Sequence, residues 1–234
     1  MTELIVVSRP EDLPRQAAGW LALEVSRAIA ERGSCTLSLA GGRTPEPVYR
    51  ELAARSNIDW KRVEVFFGDE RAVPPDHADS NYRMVHLTLL SRVPIPSSNV
   101  HRMQAERADR DTAAREYERS LPRPLDVLVL GMGPDGHTAS LFPGSAALEE
   151  RQRLVVPALG AKAPAERLTI TPPVIEAARK VAVIAAGEDK ALMVARAIEG
   201  PFAPRVVPVQ LAQRGCWFLD RAAAARLTTR TVAT

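Results

Sequence analysis

Residues 125–138 read "LDVLVLGMGPDGHT": an apolar run, then a loop with glycines at 131, 133 and 136 and a histidine at 137. A short, continuous apolar run that ends in glycine fits a strand buried on both faces. Such strands belong to parallel sheets covered by helices, so the run predicts an α/β protein. The glycine spacing is also a literal G-x-G-x-x-G, the pattern of a dinucleotide loop. Its surroundings argue against that use. The loop lies mid-chain, Pro143 and Gly144 interrupt the next segment, and no strand ending in an acid comes next. His137 is then the residue to explain. It is predicted to open a short helix at a strand end, two residues from Asp135. A helix N-terminus disfavours the imidazolium, which suits a general base working near neutral pH.

The same alternation extends in both directions. Further strands are expected at 3–8, 35–40, 63–68, 181–186 and 216–220, with "RLVVPAL" (153–159) and "RLTIT" (167–171) between them. Helical periodicity covers 11–32, ended by Gly33. Thr44 is placed to cap the next helix, with Pro45 in its first turn. A helix is expected from Asp79 or Ser80 to about Arg92, and others near 109–120, over "PPVIEAARK", over "EDKALMVARAIEG" and over "RAAAARL". Together these predict a single α/β domain over 1–234: a doubly wound, mostly parallel sheet with helices on both faces.

Composition narrows the function. Of 234 residues 46% are hydrophobic and 25% charged, an ordinary globular balance. The formal charge is +3, and only four of the 31 basic residues are lysines. The arginines are dispersed among acids, with no basic run interleaved with aromatics, so a nucleic-acid partner is not expected. An anionic small molecule would suit the balance. The N-terminal "MTELIVVSRP" lacks the pattern of a signal peptide, and no run approaches membrane-spanning length. A cytoplasmic protein that does not engage a membrane is the expectation. Cys35 and Cys216 are predicted as buried thiols, with neither disulfide nor metal spacing.

Ligands of open parallel sheets bind beyond the carboxyl ends of the strands. Four polar, glycine-led loops sit at such ends: "GGRTP" (41–45), "GDER" (68–71), "GMGPDGHT" (131–138) and "GEDK" (187–190). The first couples the N–H groups of Gly41 and Gly42 to Arg43 and Thr44 at a helix start, a candidate anion cradle. Asp69, Glu70 and Arg71 fit either an internal ion-pair cluster or a substrate contact. His77, His86 and His101 carry no comparable geometry.

Taken together, "LSLAGGRTPEPVYRELA", "VEVFFGDERAVPPDHADSNYRMV", "LDVLVLGMGPDGHTASLFPGS", "ERLTITPPVI", "GEDKA" and "CWFLD" resemble the 6-phosphogluconolactonase family, in its order and over most of the chain. The resemblance implies the fold shared with glucosamine-6-phosphate deaminase and ribose-5-phosphate isomerase. It implies hydrolysis of a phosphorylated sugar lactone in the pentose phosphate pathway, with no cofactor and no metal. In the deaminase relatives the Asp-Gly-His turn typically continues into Phe-Asn-Glu-Pro. Here it continues "TASLFPG", with no acid before Glu149, which favours the lactonase. A sugar-phosphate isomerase or deaminase, and a non-catalytic sugar-phosphate sensor, are the alternatives. A reactive lactone needs no serine nucleophile, and there is no G-x-S-x-G elbow. The implied catalytic set is His137 as base, Asp135 orienting it, Arg71 at the oxyanion and Asp69 in support. Gly41, Gly42, Arg43, Thr44, Arg167 and Lys190 are implied for the substrate and its phosphate. A monomer or weak homodimer is expected.

Overall fold

The computed structural model describes residues 2–160 and 163–228. Six strands form one sheet in which every pairing is parallel. From edge to edge they are β1 (Glu3–Val7), β9 (Cys216–Asp220), β8 (Lys180–Ala185), β5 (Val127–Gly131), β2 (Cys35–Leu39) and β3 (Val63–Phe67). Residues Val127 to Leu130 are each 1% exposed or less. Because successive side chains point to opposite faces, that burial requires cover on both sides of the sheet, as the apolar run predicts.

Helices supply much of that cover. α1 (Leu13–Arg32) packs on β2, β5, β8 and β9, and against α2 (Pro45–Ala53). α1 turns Leu13, Ala17, Ala18, Leu21, Ala22, Val25 and Ala28 inward, with Trp20 and Ile29 partly buried beside them. Ser80 begins α3 (Asn81–Thr88) by accepting a hydrogen bond from the Arg83 N–H. Asp109 does the same for α4 (Arg110–Ser120) through the Thr112 N–H. Both cysteines are buried thiols, on β2 and β9.

Three strands stand apart from the parallel sheet. β4 (Asp69–Arg71), β7 (Glu166–Ile170) and β6 (Val155–Leu159) form an antiparallel sheet in that order. The strands expected at 153–159 and 167–171 exist but belong here, and α4 packs on β6. α5 (Pro172–Ala177) and α6 (Ala191–Glu199) both pack on a 3₁₀ turn at Pro208–Ala212. The expected helix "RAAAARL" is a run of turns instead. It is too short to hold a helix unaided, and the Asp220 carboxylate ties down the Ala223 N–H at 2.7 Å.

The strand order locates the working end. β3 lies on one side of β2, whereas β5, β8, β9 and β1 extend on the other. Chain connections therefore diverge at the β2–β5 boundary, the crevice where open α/β sheets bind ligands.

Candidate active site

The loops that leave β2 and β5 line a cleft of about 210 Å³ at that boundary. Gly41, Gly42, Arg43 and Thr44 form one wall. Gly131, Met132, Gly133, His137 and Ala139 form another, and Asp69, Arg71, Arg167, Ile184 and Lys190 complete it. Nine of the ten residues the sequence singles out are thus brought together. The tenth, Asp135, stands behind His137.

The 131–138 loop is folded back on itself. Gly133 N–H donates to His137 O at 2.9 Å, and Thr138 Oγ1 donates to Gly131 O at 2.9 Å. A Cβ at position 133 would lie 2.1 Å from the His137 ring, so only glycine lets the imidazole lie against this backbone. The expected helix after His137 does not form. Ala139 takes φ 48°, and Thr138 and Leu141 close an isolated antiparallel bridge. A left-handed residue two places on breaks any helix at its first turn. No helix dipole acts on His137; its partner is a carboxylate.

That carboxylate is Asp135. His137 Nδ1 lies 2.5 Å from Asp135 Oδ1, which also accepts the His137 backbone N–H at 3.2 Å. Partial burial pushes the Asp135 carboxyl up, but the charge and hydrogen bonds of His137 outweigh burial and hold it below the usual range. With Nδ1–H given to Asp135, Nε2 is left as the acceptor, a tautomer assigned from the hydrogen bond. Phe142 packs on the ring, with centroids 4.6 Å apart.

The cations come from both sheets. β4 alternates, so Asp69 and Arg71 line the cleft while Glu70 does not. Arg71 sits directly opposite Arg167 across the β4–β7 ladder. Like charges in such a pair repel. The Nε atoms of both are buried and have no hydrogen-bond partner among the described residues. Burial lowers the pKa of Arg167, Asp69 raises it and Arg71 lowers it further, leaving it below its ordinary value. Its guanidinium also lies over the Phe142 ring, 5.7 Å from the centroid. Two repelling guanidiniums with unused donors make a site that an anion would relieve.

Asp69 and Glu70 do not pair with Arg71 among the described residues. Asp69 accepts from Ser140 Oγ at 2.6 Å and from Asn81 Nδ2 at 3.1 Å, with Arg167 Nη1 at 3.9 Å. Ser140 and Asn81 are both buried, and no sequence pattern marks either of them. The Asn81 amide also occupies the space a side chain at Gly41 would need.

Thr44 precedes α2 but makes no capping hydrogen bond, contrary to expectation. Pro45 and Pro47 also remove two N–H groups from the helix start, so the anion cradle narrows to the loop itself and the Arg43 side chain. Lys190 is 15% exposed, and its Nζ is 2.7 Å from Asp189 Oδ2. Its loop is anchored from below: both Asp220 carboxylate oxygens accept the Gly187 N–H at 3.1 Å. Among the described residues no cluster of three or more His, Cys, Asp or Glu is placed to hold a metal, and no helix is long and apolar enough to cross a membrane.

Comparison with known proteins agrees with this geometry. The family model described as glucosamine-6-phosphate isomerases/6-phosphogluconolactonase matches residues 8–219. A 6-phosphogluconolactonase of Synechocystis sp. is 40% identical over 220 residues, 87% of this chain and 89% of the relative. The solved 6-phosphogluconolactonase from Trypanosoma cruzi is 27% identical with a TM-score of 0.86, over 98% of each chain. A solved monomeric glucosamine-6-phosphate deaminase, 23% identical with a TM-score of 0.83 over 95% of this chain and 99% of its own, shares the fold. Architecture, cleft and near full-length identity converge: the chain belongs to the 6-phosphogluconolactonase family, lactone hydrolases within the glucosamine-6-phosphate isomerase superfamily.

Proposed function

We propose that this cleft hydrolyses 6-phospho-D-glucono-1,5-lactone to 6-phospho-D-gluconate by direct attack of water. The observation that carries this reading is the Asp135–His137 contact of 2.5 Å at the edge of a cation-lined cleft. His137 Nε2 takes a proton from water as the oxygen attacks C1 of the lactone. Arg71 stabilises the negative charge that develops on the carbonyl oxygen. The C1–O5 bond then breaks, and the imidazolium returns its proton to O5. No covalent intermediate forms. Asp135 holds the ring and its tautomer, and Asp69 supports the wall that carries Arg71 and Arg167. The substrate phosphate is taken by the 41–44 loop, Arg43 and Lys190, with Arg167 facing them. A dianion here offsets the Arg71–Arg167 repulsion.

A deaminase would need a further acid near the histidine. Asp69 is the one carboxylate among the residues lining the cleft, and Glu149 pairs with Arg205 instead. The test is turnover of freshly made lactone, followed by proton release or NMR with the spontaneous rate subtracted. His137→Ala should lose about 10²–10⁴-fold in kcat while still binding 6-phosphogluconate. A folded His137→Ala protein with wild-type turnover refutes the mechanism.

A further inference from the structure

Glu70 is 3% exposed, carries no cationic partner among the described residues, and points away from the cleft. Its carboxylate nevertheless accepts four hydrogen bonds. Oε1 takes the N–H groups of Arg71 and Asn81, each at 2.8 Å. Oε2 takes the Tyr82 N–H at 2.8 Å and Ser80 Oγ–H at 3.0 Å. Burial pushes the carboxyl up, and these four donors pull against it. A buried carboxylate is costly to keep, so its partners matter.

Those partners lie at the two ends of one loop. Arg71 begins it; Ser80, Asn81 and Tyr82 close it at the start of α3. Just inside the closed end, Asp79 O accepts Arg71 Nη1 at 2.6 Å. The clasp therefore fixes both the Arg71 backbone and the carbonyl that holds its guanidinium. Arg71 needs such restraint, because it faces Arg167 and repulsion would favour swinging it toward water.

We propose that Glu70 is a positioning residue that clasps the 71–82 loop and thereby holds the Arg71 guanidinium in the cleft. This rests on the assignment of Arg71 to the developing oxyanion. Glu70→Gln keeps the shape but replaces one acceptor oxygen with a donor, so at least one backbone N–H of the clasp loses its partner and the charge is removed.

The experiment is a double-mutant cycle on the full chain, measured with fresh lactone. Glu70→Gln should lower kcat about tenfold or more while KM moves by less than about threefold. Placed on Arg71→Ala, the same change should alter kcat by less than about twofold, because its effect passes through a group already gone. Ser80→Ala, which removes one donor of the clasp, should show a smaller loss with the same dependence on Arg71; it also serves if Glu70→Gln does not fold. Losses that multiply in the double variants overturn the proposal, as does wild-type kcat in Glu70→Gln beside a slow Arg71→Ala. Wild-type kcat in Arg71→Ala overturns the oxyanion assignment itself.

Discussion

Asp135→Asn separates orientation of the base from the base itself. The wild-type contact is a 2.5 Å hydrogen bond between the ring and a carboxylate that is itself 46% exposed. A charge-assisted hydrogen bond contributes about 1.5–3 kcal/mol, and exposure places this one near the lower figure, about 1.5 kcal/mol. By the usual conversion that is roughly a tenfold fall in kcat. The Asn carbonyl can still accept Nδ1–H, so geometry largely survives while the charge is lost. The folded protein holds Asp135 below its ordinary pKa. The stability it contributes is therefore present above the ordinary carboxylate range and lost as pH falls through the depressed folded value. The assay is initial-rate proton release from fresh lactone near neutral pH, with spontaneous hydrolysis subtracted. A folded Asp135→Asn enzyme with wild-type kcat refutes the orienting role.

Arg71→Lys keeps the charge but loses the planar fork, so kcat should fall more than KM rises; equal kcat in steady-state kinetics moves Arg71 to a structural role. Lys190→Ala should cut kcat/KM about tenfold or more for the phosphorylated lactone and change hydrolysis of unphosphorylated gluconolactone little; equal losses on both substrates refute a phosphate contact. Burial pushes the Cys35 thiol up to about 12 and raises Cys216 as well, so neither should react with a thiol reagent until denaturant is added; mass spectrometry of the labelled protein reads the outcome.

The parallel sheet was legible because its strands are apolar runs buried on both faces, and the cleft was legible because glycine-led loops mark their carboxyl ends. β4 was not, since three residues, Asp69–Arg71, leave no periodicity to read. Its absence hid the antiparallel sheet and with it the placement of Arg71 opposite Arg167. The helix expected after His137 failed because nothing in "TASLF" announces a left-handed alanine at 139. Glu70, Ser140, Asn81 and Asp220 act by tying distant segments together, and a single sequence shows the residue but not the donor it meets. "DER" could be read as an ion-pair cluster; in the folded chain both acids instead take hydrogen bonds from neutral donors, the cation nearest Asp69 is Arg167, and Arg71 is left for the cleft.

The outermost strand of the parallel sheet has a consequence for biosynthesis. β1, over Glu3–Val7, pairs with β9 alone, and β9 ends at Asp220. During translation β1 must wait for β9, more than 200 residues later, before it has the neighbour it pairs with. Until then β8 presents the open edge that β9 will cover, and β1 remains an unpaired apolar segment. Non-local pairing of this kind is slow, and exposed strand edges invite wrong partners. A nascent chain that ends between Ala185 and Cys216 therefore has its central strands in hand but cannot complete its sheet, and it exposes a strand edge that the finished enzyme covers.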